Sequence, residues 1–404
     1  MKKDKTLEAL HNEACQLLEE VGIKCENEEI RKIYEDTGLA AYDETTGRIH
    51  ILRDLIDQSL STTPKRSVFT SLVPEHSFCS GGTAPYIYDE KTSEWIEPDL
   101  YEHVAKIVQI AEKYKVPAMF RGAGKQHDEY EDVEQIKVYN ENGYSGLRYI
   151  YVATEAGVQA CKKEYAKNNK LVTSHSVFYS PLALNDSGPN VPIFLRCIEE
   201  DLPIYLVTMP VSKINAPASI YGLVLITHAE FLAGMCLVQI LNPGLITLHA
   251  GYPLVSSVTD DYNIDFGSIQ HNFANLTMAR VAKSLDLPSI QSGCTTSNKH
   301  PEADTEKDVL DAYRLWNSSD DWHQVRHCFG FLEYQMAFSI PKMERDCKSL
   351  QKIIENNEKI EVPELEYDSE AYNVIVECAP IGTFVEHAHT LKYIGYFYKN
   401  EVNR

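Results

Sequence analysis

The sequence predicts an α/β fold, a (β/α)8 TIM barrel behind an N-terminal helical cap, and three observations carry that expectation. From about residue 115, short apolar runs alternate with longer helical patterns, as βα units around a parallel sheet require. Several of those runs end in glycine-rich or polar turns, which is where such barrels place their chemistry. No G-x-G-x-x-G follows any run, so a doubly wound nucleotide-binding sheet is disfavoured.

The N-terminal residues read as helices. Leu7, Leu10, Ala14, Leu17, Leu18 and Val21 recur at helical spacing, with Gly22 as the stop signal. A second helix over Glu28 to Asp36 ends at Gly38, and Ile49 to Leu60 gives a third helical element closed by Pro64. Residues 1–65 therefore form the cap, and 66–404 the barrel domain with its C-terminal helices. Seven strands are expected at Val116–Phe120, Tyr149–Ala153, Leu171–His175, Ile204–Met209, Leu245–His249, Pro288–Gln291 and Val325–Phe329. Ser67–Leu72 is the best eighth candidate. Tyr372–Glu377 is not one, because Ala371, Val374, Ile375 and Cys378 have helical spacing after Ser369.

A chain of 404 residues accommodates one barrel and a small extra element. With 44% hydrophobic and 24% charged residues the composition is that of a globular protein. A net charge of −21 repels phosphate backbones and anionic lipid, which disfavours nucleic-acid and membrane-surface roles. Met1–Lys5 is basic without an apolar core, and no apolar run is read as reaching the roughly 18 residues of a membrane span. The ten cysteines form no C-x-x-C pair and no H-E-x-x-H occurs, so a reducing cytoplasmic location and no intrinsic metal are expected.

Four turns stand out: Arg121-Gly122-Ala123-Gly124, Met209-Pro210, His249-Ala250-Gly251-Tyr252-Pro253, and Gln291-Ser292-Gly293-Cys294-Thr295-Thr296. Each alone also fits an ordinary βα turn. Cys79–Asp89, with its Gly81-Gly82, suggests a hairpin presenting Tyr86 and Tyr88 near the mouth; a structural hairpin with core tyrosines fits equally. His387 and His389, at i and i+2, lack a third ligand nearby and suit hydrogen bonding, proton handling or capping of the final helix. Glu333 lies just beyond a strand with Phe331 and Tyr334, an arrangement that holds either an organic cation or a nearby arginine. No G-x-S-x-G elbow or Walker loop is present, and nothing marks Cys294 as an activated thiolate. The chain offers no obvious nucleophile of its own.

Taken together, several stretches resemble the trimethylamine–corrinoid methyltransferase (MttB-like) superfamily. They are Leu18–Gly22, Gly81–Tyr86 with Asp89, Ser180-Pro181-Leu182, Met209-Pro210, Ala216-Pro217, His228–Gly234, Asn242-Pro243-Gly244, Leu332-Glu333 with Ala337-Phe338-Ser339, and His387–Thr390. The likeness runs over nearly the whole chain in the family's order and is weakest between about residues 122 and 170. It implies a barrel that passes a methyl group to a corrinoid (cobalamin) carried by a separate corrinoid protein, whose cobalt(I) supplies the missing nucleophile. With standard residues only, the sequence is similar to the non-pyrrolysine branch, which resembles the glycine betaine methyltransferases. A quaternary nitrogen leaves as a neutral tertiary amine without a general acid, so alignment is the main task.

The resemblance implies that Tyr86, Tyr88, Phe331 and Tyr334 cage the cation with Glu333 as its electrostatic partner. Arg121, His249 and His387 or His389 are expected to bind a substrate carboxylate or hydroxyl. The expected partners are a corrinoid protein, a small methylated amine and further copies of the chain in a homo-oligomer, with no nucleic acid and no membrane. A pocket built from Arg148, Tyr144, Tyr149 and Tyr151 would instead point to a different N-, O- or S-methyl donor. A third possibility is a binding barrel without catalysis. An aldolase-like barrel is disfavoured, because no lysine stands clearly at a strand end.

Overall fold

The apolar runs become the strands of one eight-stranded, all-parallel sheet in a computed structural model of the chain. The structure describes residues 4–70, 76–122, 131–184, 190–257, 263–302, 305 and 307–393, with backbone only at Leu100, Met119, Arg121 and Gly122. In chain order the strands are β1 (Ser77–Ala84), β2 (Ala118–Gly122), β3 (Arg148–Tyr151), β4 (Leu171–Ser176), β5 (Ile204–Thr208), β6 (Thr247–Gly251), β7 (Ile290–Ser292) and β8 (Gln324–Phe329). They lie side by side as β7-β8-β1-β2-β3-β4-β5-β6. The outer strands meet as well: His249 and Ser289 form an isolated parallel bridge, and the His249 N–H donates to the Pro288 carbonyl at 2.8 Å.

The sheet is strongly curved. Tyr149 of β3 hydrogen-bonds Gln324 of β8, and Arg326 of β8 hydrogen-bonds Tyr205 of β5, although four strands separate β8 from β5. Its inner face carries Cys79, Tyr149, Val172, Tyr205, Val207, Leu248, Ala250 and Ile290, a cluster separate from the larger core beneath the helices. Strand side chains alternate between faces, so each strand feeds both clusters.

The N-terminal residues form helices α1 (Lys5–Glu20), α2 (Glu28–Glu35) and α3 (Arg53–Thr62). Asp4 and Asn27 cap the first two through their side-chain oxygens. All three pack on α4 (Ile220–Leu241), whose other side lies on β5 and β6. By length and composition α4 would cross a membrane, contrary to the reading that no apolar run is long enough. It is buried from Tyr221 to Gln239, and a helix enclosed on every side is apolar all round for that reason.

Three further expectations are corrected. Ser67–Leu72 is not the eighth strand: Arg66–Thr70 is helical, and β1 takes that place. The Gly81-Gly82 pair, which reads as a turn, lies within β1. The hairpin follows it, Tyr86–Asp89 pairing antiparallel with Glu94–Ile96 and parallel with Ala337–Phe338. Ile49–Leu60 is likewise not one helix. Ile49 and Ile51 point inward from a strand over Arg48–Ile51, with period two rather than 3.6. That strand passes over Gly22 (φ +68°), where a Cβ would lie 2.4 Å from the Ile49 carbonyl oxygen. The helical reading of 371–378 holds.

Candidate active site

Polar groups gather on the inner face where β6, β7, β8 and β1 end. Arg326 is only 7% exposed. Its Nη1 donates to the Tyr205 hydroxyl and, at 3.4 Å, to the Tyr252 hydroxyl, and its guanidinium lies 5.1 and 5.5 Å from those two ring centroids. Its Nε has no partner. Burial pushes the Tyr205 phenol above its ordinary range, so it stays neutral.

The next residue, His327, adopts φ +66°, a left-handed backbone uncommon outside glycine, and the pairing of β8 with β1 shifts register here. This bulge turns consecutive residues toward the same site. The Ser292 hydroxyl sits 3.0 Å from His327 Nδ1. Burial, helped by the charge of Arg326, holds the imidazole well below its ordinary range, so it is neutral. Gly82 makes room: a Cβ there would meet the His327 ring at 2.4 Å and Phe331 at 2.9 Å. Phe331 stands edge-on to His327 with centroids 5.7 Å apart, and Tyr252 lies 6.1 Å away on another side.

Beyond Phe331 the chain makes a strained turn. Glu333, Tyr334 and Gln335 all have positive φ (47°, 55°, 69°). Each left-handed non-glycine residue costs about 1–2 kcal/mol, and such strain concentrates at functional sites. The Glu333 carboxylate is paired with Lys299 at 2.7 Å. The exposed large side chains Tyr86, Tyr179, Met209 and Met336 follow the carboxyl ends of β1, β4, β5 and β8 in the chain. Tyr88 packs edge-on against Trp95 and donates to Glu302 at 3.2 Å.

The residues singled out from the sequence thus divide. Phe331 is in the cluster, and Glu333, Tyr334, Tyr86 and Tyr88 lie in the turn and hairpin outside it. Arg121 lies at the end of β2 opposite Thr83, and its side chain falls outside the described residues. His249 points to the other face of the sheet. It stacks 3.8 Å from Phe231 and meets His228 at 3.1 Å, and His228 in turn meets His11 at 3.0 Å. Burial lowers His249 to about 3, so it is a neutral core histidine. His387 contacts Glu377 at 3.2 Å and His389 contacts Asp368 at 2.8 Å, both in the C-terminal segment and away from the cluster.

Arg148 and Tyr144 do not form an alternative pocket. Arg148 is ion-paired with Glu164 at 2.8 Å, and Tyr144 donates to the carbonyls of Val116 and Leu147. Tyr151 donates to Asn190 at 2.8 Å, and Tyr149 lies in the inner-face cluster. Sequence reasoning missed Arg326, His327, Tyr205 and Tyr252. The available signal was an Arg-His pair inside the apolar run Val325–Phe329, where a strand ought to be uncharged.

The family described as trimethylamine methyltransferase (MTTB) matches residues 1–114 and 159–404. The interval left unmatched contains β2 and β3. The glycine betaine methyltransferase of Desulfitobacterium hafniense (strain Y51) is 20% identical over 411 residues, covering 96% of this chain and 82% of that one. The L-carnitine:corrinoid methyltransferase of Eubacterium limosum is 25% identical over 303 residues, covering 68% and 60%. The proline betaine:corrinoid methyltransferase of Eubacterium limosum is 20% identical over 410 residues, covering 94% and 82%. With nearly the whole length matched and the polar cluster at the strand ends in place, the chain belongs to the trimethylamine methyltransferase (MTTB) family and is a methyltransferase.

Proposed function

We propose that this enzyme moves a methyl group from a quaternary amine of the betaine type to the corrinoid of a separate protein. The observation that carries this reading is the family match across both ends of the chain, joined by relatives whose names specify betaines and carnitine. We further infer that the eight-stranded sheet closes as a (β/α)8 barrel with residues 1–65 as its cap. The bridge between β6 and β7 and the bonds spanning the inner face support that closure. Ten buried free thiols fit a cytoplasmic enzyme.

The corrinoid, when its carrier docks, supplies the nucleophile that this chain lacks. The exposed ring of Tyr86, Tyr179, Met209 and Met336 fits a surface for that carrier, because exposed apolar groups mark interaction sites. Within the mouth, Phe331 and Tyr252 offer ring faces to an onium group. Neutral His327 adds no repelling charge beside it. Tyr334, Glu333, Tyr86 and Tyr88 would complete the rim of the cage, with Glu333 exchanging Lys299 for the substrate cation. Because the leaving tertiary amine is neutral, these residues need only desolvate and align one N–CH₃ bond with the open side of the barrel.

The test mixes the full-length protein with a reduced corrinoid protein and glycine betaine, carnitine, proline betaine or trimethylamine. Loss of cobalt(I) absorbance together with the demethylated amine in the mass spectrum is the expected result. Demethylation of an O- or S-methyl donor but of no amine would replace this reading.

A further inference from the structure

The inner face holds a charge that no described residue balances. Arg326 is more than nine-tenths buried, yet among the described residues no carboxylate lies within ion-pair distance of it. Its polar contacts are two phenols, and the tyrosine beside it, Tyr205, is kept neutral by burial. Its Nε has no acceptor. Burying a guanidinium without a counter-anion is unfavourable, and buried charges are ordinarily paired. Two other buried cations are paired, Arg148 with Glu164 at 2.8 Å and Lys342 with Asp346 at 2.7 Å, and buried Arg48 instead gives its hydrogen bonds to the carbonyls of Gly22, Leu182 and Ala379.

We propose that Arg326, with the hydroxyls of Tyr205 and Tyr252, anchors a carboxylate on the methyl donor, which makes the substrate a zwitterion held carboxylate-first. This deepens the quaternary-amine reading and rests on it for the other end of the substrate. The planar fork of a guanidinium matches a carboxylate through two parallel hydrogen bonds. The two phenols, which now accept from Arg326, can turn their hydroxyl hydrogens to the incoming oxygens. Position along the strand sets the orientation. Arg326 is level with Ser292, the last residue of β7, while His327, Phe331 and the strained turn follow farther along the chain toward the mouth. A substrate seated on Arg326 therefore directs its trimethylammonium end past a neutral imidazole and an aromatic ring, toward the side from which the carrier arrives. The floor selects the anion and the rim selects the cation.

Calorimetric titration of the full-length protein separates the two halves. The ligands are glycine betaine, its uncharged-carbon isostere 3,3-dimethylbutanoate, and choline, which has the onium but no carboxylate. Arg326→Gln is expected to weaken glycine betaine and the isostere by roughly 10- to 100-fold while leaving choline within about twofold, the range of one charge-assisted pair. Tyr252→Phe, which keeps the ring, is expected to cost the two carboxylates about three- to tenfold. Should Arg326→Gln fail to give a cooperative melt, Arg326→Lys and Tyr252→Phe carry the decision by the same pattern. Unchanged glycine betaine affinity in these variants overturns the proposal, as does a wild-type protein that binds choline as tightly as glycine betaine. A wild type that binds the isostere through Arg326 but no onium compound would keep the anchor and remove the quaternary-amine reading.

Discussion

Arg148 and Arg326 stand on the same sheet, buried to almost the same degree at 3% and 7% exposure, and they are treated in opposite ways. Arg148, at the start of β3, gives its hydrogen bonds to Glu164, Asn140 and the Tyr144 carbonyl, all near 2.8 Å. Against the desolvation of its own site, hydrogen bonds from Lys167 and Asn140 and the Arg148 charge hold Glu164 below the usual carboxylate range. Arg326, on the inner face, has phenols and, among the described residues, no carboxylate, while the Nε of both arginines is unpartnered. A buried cation neutralised by its own chain is a structural element. One left incomplete points to a charge that comes from outside, and the sheet keeps the two on opposite faces.

That contrast breaks most sharply at Arg148. Arg148→Met leaves Glu164 without its buried cation, with only Lys167 and Asn140 still bonded to it, and should cost about 3–5 kcal/mol of unfolding free energy in urea. A loss below about 1 kcal/mol would reduce the pair to the strength of a surface bridge. A second buried charge gives a pH signature. Glu230 on α4 accepts from the Ser180 hydroxyl at 2.8 Å and the Leu182 N–H at 2.9 Å, and burial pushes it up to about 8 from 4.5. The folded protein then holds a proton that the unfolded chain has released between about pH 4.5 and 8, so stability should fall as pH rises through that window. Glu230→Gln should flatten the slope, removing on the order of 2–4 kcal/mol of difference between pH 5 and pH 8. A wild-type melting temperature that rises across that window would contradict it.

Next in size is Gly82→Ala, which forces a methyl group into His327 and Phe331. We expect about 1–3 kcal/mol of destabilisation together with lost ligand affinity. An unchanged melting curve would show that the two rings can move aside. The smallest effect is expected where function is most concentrated: Arg326→Met should change stability by less than about 1 kcal/mol in either direction, because the hydrogen bonds lost at the Tyr205 and Tyr252 hydroxyls are offset by removing a buried charge that has no carboxylate partner. A loss as large as that of Arg148→Met would mean that Arg326 is structural after all.

The sequence made the alternation of strands and helices legible, because each strand of a two-sided sheet is an apolar run and each turn a cluster of small or polar residues. Seven strands were placed within a few residues. The eighth was missed because Gly81-Gly82 imitates a turn, and only the His327 and Phe331 rings packed against Gly82 explain why a strand has no side chain there. Among the residues proposed for the site, Phe331 was singled out from its neighbours in sequence and lies against His327. His249 was misplaced because a strand end gives no sign of which face a side chain takes, and α4 filled that face with Phe231 and His228. Arg326 and His327 were hidden by a bulge that no local pattern announces. Tyr205 and Tyr252 acquire meaning only once curvature brings them to an arginine four strands away.

The helix α4, enclosed between α1, α2 and α3 on one side and β5 and β6 on the other, also sets an order of events. Helices α1 and α3 also pack partly on each other, but the apolar surface that all three share is complete only once residue 241 has been made. Tyr34 finds its acceptor on Ala233, and His11 its partner on His228. At roughly 5–20 residues per second, the cap waits on the order of 10–40 s on the ribosome with its apolar stripes bare. Nascent chains of this protein should therefore be a prominent client for holdase chaperones. A chain trimmed to begin at residue 66 would leave α4 with its membrane-like flank permanently uncovered, so the cap is half of the housing and not a removable lid.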